Sequence, residues 1–103
     1  MTPNQTPIDF TKVEALRKHM LLTTNDMSSL FGVTRMTYYG WVRGKPLRKS
    51  SDEFVRAVLK QLLAVMVEDK WPTPDVIAME QKQRKEQLDE LIDRKSTRLN
   101  SSH

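Results

Sequence analysis

The chain has 103 residues, 17 Lys and Arg against 13 Asp and Glu, a formal charge of +4, and no cysteine. That length holds one domain with a modest core; the missing thiols exclude disulfides and thiolate metal sites and suit a reducing compartment. No apolar run approaches membrane-spanning length and the opening MTPNQTP is too polar for a signal peptide, so the sequence reads as that of a cytoplasmic protein.

Residues 1–7 hold two prolines and no periodicity, which predicts a flexible arm. With no Arg or Lys the arm is a poor minor-groove reader. Ile8–Leu22 is a first helix, with Phe10, Val13, Leu16 and Met20 at three- or four-residue spacing and Asp9 or Thr11 near its start. Lys12, Arg17, Lys18 and His19 occupy its polar side. His19 has no second histidine or carboxylate near it in sequence and reads as a surface residue.

Thr24–Gly44, TTNDMSSLFGVTRMTYYGWVRG from Thr23 onward, reads as two short helices joined by a tight turn. Thr24 or Asn25 can cap the first helix, whose apolar face carries Met27, Leu30 and Phe31. Gly32 stands where a helix must stop in the left-handed region. Val33 tucks inward, Thr34 caps the second helix, and Tyr38 with Trp41 forms that helix's inner face. Arg35, Met36, Tyr39 and Arg43 are left facing outward. Gly40 is unusual inside a helix, since Gly there costs about 1 kcal/mol relative to Ala. Either it allows close approach to a base or phosphate, or packing tolerates it.

Lys45-Pro46-Leu47-Arg48-Lys49 forms the exit loop. No acid occurs between Asp26 and Asp52, while Arg35, Arg43, Lys45, Arg48 and Lys49 all do. Such gathering of basic charge is the footprint of a polyanion binder. A long helix is expected from Ser50 or Ser51 to Trp71. Its apolar positions, from Phe54 and Val55 through Leu62, Leu63 and Met66, are broader than one neighbour requires. That breadth suggests burial on two sides, and a homodimer through residues 51–71 is one way to supply the second. Trp71-Pro72-Thr73-Pro74 is a break, with Thr73 as cap and Pro74 suited to a first turn. A C-terminal helix is expected over 73–92, polar through Gln81–Gln87. Residues 93–103, DRKSTRLNSSH, resemble the translation of a sequencing-library adaptor and are expected to be a non-native disordered tail. Without Asp93, Arg94, Lys95 and Arg98 the formal charge falls from +4 to +2, and the basic cluster is untouched.

The Thr24–Gly44 unit resembles the helix-turn-helix of the Cro and phage-repressor family, also called Xre-like. Leu22-Thr23-Thr24, Leu30-Phe31-Gly32-Val33-Thr34 and Trp41-x-Arg43-Gly44 carry the likeness, with apolar residues at Met27, Phe31, Val33, Tyr38 and Trp41. Val42 and Ser28 depart from it, standing where an acid and an alanine are usual. The resemblance implies a compact all-α domain of four to five helices, with residues 8–71 as the DNA-binding part. It also implies a sequence-specific transcriptional regulator of phage or bacterial type, acting by operator occupancy on double-stranded DNA.

In that reading Arg35, Met36, Tyr39 and Arg43 face base edges, and Thr34, Lys45, Arg48 and Lys49 hold phosphates. Nothing in the chain assembles a catalytic site, a metal site or a cofactor or small-molecule site: there is one usable histidine, no Gly-rich phosphate loop and no convincing carboxylate pair. Two alternatives stay open. One is a protein-interaction module, an antitoxin or phage-encoded inhibitor, using the long helix face. The other is a winged excisionase-like or MerR-like DNA binder, which needs a β-hairpin after the reading helix.

Overall fold

The computed structural model describes the backbone of residues 7–100 and the side chains of 7–95. The expected arm therefore lies outside the described residues except for Pro7, as does the end of the expected tail, 101–103. Among the described residues the chain is all-helical: α1 Phe10–His19, α2 Thr24–Leu30, α3 Arg35–Val42, α4 Lys49–Glu68, α5 Pro74–Ala78 and α6 Gln81–Asn100. Six helices replace the expected four or five because the last one is divided.

Asp9 starts α1, its carboxylate accepting the Thr11 amide at 2.9 Å. The helix stops at His19, three residues before the expected Leu22. There Leu21 takes φ 63°, and the amides of Leu21 and Leu22 return to the carbonyls of Lys18 and Arg17. A left-handed leucine costs roughly 1–3 kcal/mol, so its surroundings must hold it. They do: Leu22 is buried behind it, and Arg17 Nη1 donates to the Leu22 carbonyl at 2.8 Å. The next cap is Thr23, not Thr24 or Asn25. Its hydroxyl accepts the Asp26 amide while the Asp26 carboxylate accepts the Thr23 amide, a reciprocal box that satisfies two otherwise orphaned donors.

α2 ends as expected at Gly32, φ 71°, with the amides of Gly32 and Val33 bonded to Ser29 and Ser28. Thr34 caps α3 as expected, accepting the Thr37 amide at 3.2 Å. α3 closes at Gly44, φ 111°, by the same pair of bonds, from the Gly44 and Lys45 amides to Trp41 and Gly40. α4 begins at Lys49, one or two residues early, and no side chain caps it. It ends at Glu68, short of Trp71. Trp71 instead turns inward, its indole N–H donating to the Met20 carbonyl at 2.9 Å.

Thr73 and Pro74 open α5 as expected. The division between α5 and α6 has a specific cause in Arg84. Its guanidinium donates to the carbonyls of Val76, Ile77 and Met79 at 3.0, 3.2 and 2.7 Å. Those acceptors are the ones a continuing helix would have paired with its own amides. α6 then runs past Ile92 to Asn100, so 93–100 are helical and not the disordered segment expected. Lys95 Nζ there meets Glu68 at 2.8 Å and Asp69 at 3.0 Å.

The core joins the two halves. Phe10, Phe31, Tyr38 and Trp41 pack ring on ring with centroids 5.8–6.3 Å apart, locking α1, α2 and α3 together. Val55, Val58, Leu62 and Val65 of α4, with Trp71, Val76 and Leu88, complete it. Full burial of each such aliphatic side chain contributes about 1.5–3 kcal/mol. The broad face of α4 is shared out unequally. Phe54 lies over the Gly32 turn, while Leu63 and Val67 stay open to solvent. No helix among the described residues is long and apolar enough to cross a membrane.

Candidate nucleic-acid interface

The second helix of the pair acquires two faces from its sequence. Tyr38 is fully buried and Trp41 nearly so. Arg35, Tyr39 and Arg43 recur every four residues and so stack along the opposite side, with Met36 on its flank. All four are exposed, Met36 at 83 % and Tyr39 at 42 %. The four residues expected to face base edges thus share one open surface. The Tyr39 hydroxyl lies 3.4 Å from Thr24 Oγ1, which leans its ring toward the start of α2.

The four residues expected at phosphates divide differently. Lys45, Arg48 and Lys49 are exposed on the exit loop and the first residue of α4, and none of them is ion-paired among the described residues. Thr34 is exposed as well, but its hydroxyl is already engaged with both the amide and the hydroxyl of Thr37. A phosphate taken by that hydroxyl competes with the α3 cap. Among the described residues, three or more His, Asp or Glu side chains nowhere come together as a metal set requires.

Gly40 has a structural explanation. The Lys45 stem lies over it, its Cδ only 3.1 Å from where a β-carbon would stand. Gly40 is buried by this chain's own lysine, and the close-approach reading loses its basis.

Behind the exposed face sits a half-buried network that no sequence pattern pointed to. The Tyr38 hydroxyl donates to Glu14 Oε2 at 2.5 Å, and Arg17 grips both Glu14 oxygens at 2.8 and 2.9 Å. Arg17 holds the Glu14 carboxyl below the usual glutamate range, with help from the Tyr38 hydroxyl. Burial, and then the Glu14 carboxylate, push the Tyr38 phenol up. Glu14 and Arg17 show a readable i,i+3 ion-pair spacing, but the link to Tyr38 spans 24 positions and no local pattern announces it. One general signal existed: a buried tyrosine hydroxyl needs a partner.

Two further bonds brace the same unit from behind. Gln81 Nε2 donates to the Leu21 carbonyl at 3.1 Å and to Asp26 Oδ2 at 2.7 Å. The Thr23 cap of α2 is thereby tied to the first turn of α6.

No protein-family model matches the chain, and no curated protein or solved structure is detectably similar to it.

Proposed function

We propose that this protein binds double-stranded DNA as a transcriptional regulator, with α3 as the reading helix of a helix-turn-helix. The observation that carries the reading is the division of α3: Tyr38 and Trp41 hold its back in the core while Arg35, Met36, Tyr39 and Arg43 form an exposed, basic front. A major groove admits a helix of this kind. An Arg presented end-on to guanine supplies about 1–3 kcal/mol of discrimination, and Met36 or Tyr39 can pack on a thymine methyl. Lys45, Arg48 and Lys49 flank that front and suit the phosphate backbone, giving affinity without sequence information. No strand follows α3 among the described residues, so nothing there supports the winged alternative.

One helix reads few bases, so a strong operator requires two copies on half-sites about one turn apart. The decisive experiment is selection from a randomised duplex pool followed by gel shift across a salt series. The expected result is an enriched motif and a log–log salt slope of roughly −2.7 per copy, as three phosphate contacts predict. Failure to retain any duplex at low salt overturns the proposal. Retention without an enriched motif reduces it to general DNA binding.

A further inference from the structure

α1 packs on α3 and α4 packs on α6, which leaves a trench between α1 and α4. One part is a hollow of about 520 Å³ lined by Ile8, Val13, Leu16, Leu59 and Leu63. A second hollow, of about 820 Å³, reaches on to Lys49 and shares Ile8, Asp9 and Arg56 with the first. From Lys49 to Leu63 the trench is about 21 Å long at 1.5 Å per residue, the length of a four-turn helix. Leu63 remains 46 % exposed on this flank. Lys12 on the α1 wall and Lys60 on the α4 wall line the same hollow, both exposed and neither ion-paired among the described residues. Asp9, the acid of the first hollow, caps α1 at one end; toward Lys49 the second hollow adds Asp52, paired with Arg56, and Glu53, set against Lys45 and Lys49.

We infer that this trench docks an amphipathic helix of another protein, apolar along one side and carrying carboxylates on both edges of that stripe. A leucine-rich floor rewards burial of apolar side chains, which a nucleic acid does not offer. The lysine on each wall selects for acidic edges and against basic ones. A second copy of this chain fits less well, because two-fold pairing sets one lysine rim against another. The chain's own last helix, α6, carries more Lys and Arg than Asp and Glu and already spends Leu88 on its own core. The inference does not rest on DNA reading, although the Lys49 end of the trench is shared with the proposed phosphate contacts, and binding should survive Arg35→Ala.

The test uses the full chain and two fluorescein-labelled, stapled 14-residue helices. Both have leucines at i, i+3, i+7 and i+10; one is flanked by glutamates, the other by lysines. Anisotropy titration should show the glutamate peptide binding at least tenfold tighter than the lysine peptide. Leu63→Asp should weaken it tenfold or more, and the Lys12→Glu/Lys60→Glu pair should reverse the preference, with far-ultraviolet circular dichroism unchanged in both variants. The wild-type comparison of the two peptides stands even if a variant misfolds. No binding, equal binding of both peptides, or indifference to the two lysines overturns the inference. So does a wild-type dimer that Leu63→Asp converts to monomer while the glutamate peptide stays unbound.

Discussion

Arg35 and Lys49 are both exposed cations, yet they stand in different places and should fail differently. Arg35 begins the outward row of α3, whereas Lys49 starts α4 beside the exit loop. Arg35→Ala should relax preference at one base pair, by about 1–3 kcal/mol of discrimination. Lys49→Ala should weaken all sequences alike and reduce the magnitude of the salt slope by about 1. Equal losses on every duplex for both variants would remove Arg35 from the reading set. Gly40 makes an opposite kind of prediction. Its close neighbour is the middle of the Lys45 stem, 3.1 Å from where a β-carbon would stand, and this exposed, flexible side chain has only to shift by a few tenths of an ångström to admit a methyl. Gly40→Ala should therefore raise stability by roughly 0.5–1 kcal/mol, read as an increase in the urea midpoint at unchanged slope. A lowered midpoint would mean that the Lys45 stem is held in place.

At the scale of elements, the tie between α1 and α3 has a signature in pH. Glu14 titrates below the usual value of 4.5 when folded, since Arg17 and Tyr38 favour its carboxylate. Its contribution is complete above about pH 4.5 and is lost as pH falls through the lower folded value. Tyr38 titrates above its usual 10.0, so its contribution is complete below pH 10 and declines as pH rises past it. Glu14→Gln should flatten the acid limb of stability, measured as urea midpoints from pH 6 to pH 3. An acid limb unchanged from wild type would show that other carboxylates carry it. Much of this level was legible in the sequence. Gly32, Thr34 and the spacing of Met27, Phe31, Tyr38 and Trp41 announce two helices, their joint and their inner faces through local rules. The end of α1 was not legible, because a left-handed leucine depends on the burial of Leu22 and on Arg17. Nor was the division at Met79, which depends on where the Arg84 guanidinium lands. The outward residues of the site followed from periodicity; the Glu14–Tyr38 bond did not, being a contact between distant positions.

For the molecule as a whole, α5 and α6 are part of the core on which the helix pair rests. Leu88 is fully buried with α4, and Trp71 and Gln81 bond to the segment between α1 and α2. Leu88→Ala should destabilise the entire fold by about 2–5 kcal/mol, seen as one lowered transition by both circular dichroism and tryptophan fluorescence. Two separate transitions would show that residues 8–71 fold alone, as the sequence-based division into a DNA-binding part and a C-terminal helix implies.

The first three helices each finish with the same closed turn, in which two amides reach back over a left-handed residue: Leu21, Gly32 and Gly44. Such joints have a fixed number of residues. One residue inserted between Gly32 and Thr34 would change the phasing of α3 by about 100°, turning its buried Tyr38 and Trp41 side partly out of the core. The exposed side chains at 35, 36, 39 and 43 can therefore be exchanged without disturbing the joint, whereas the joint that presents them is fixed in length.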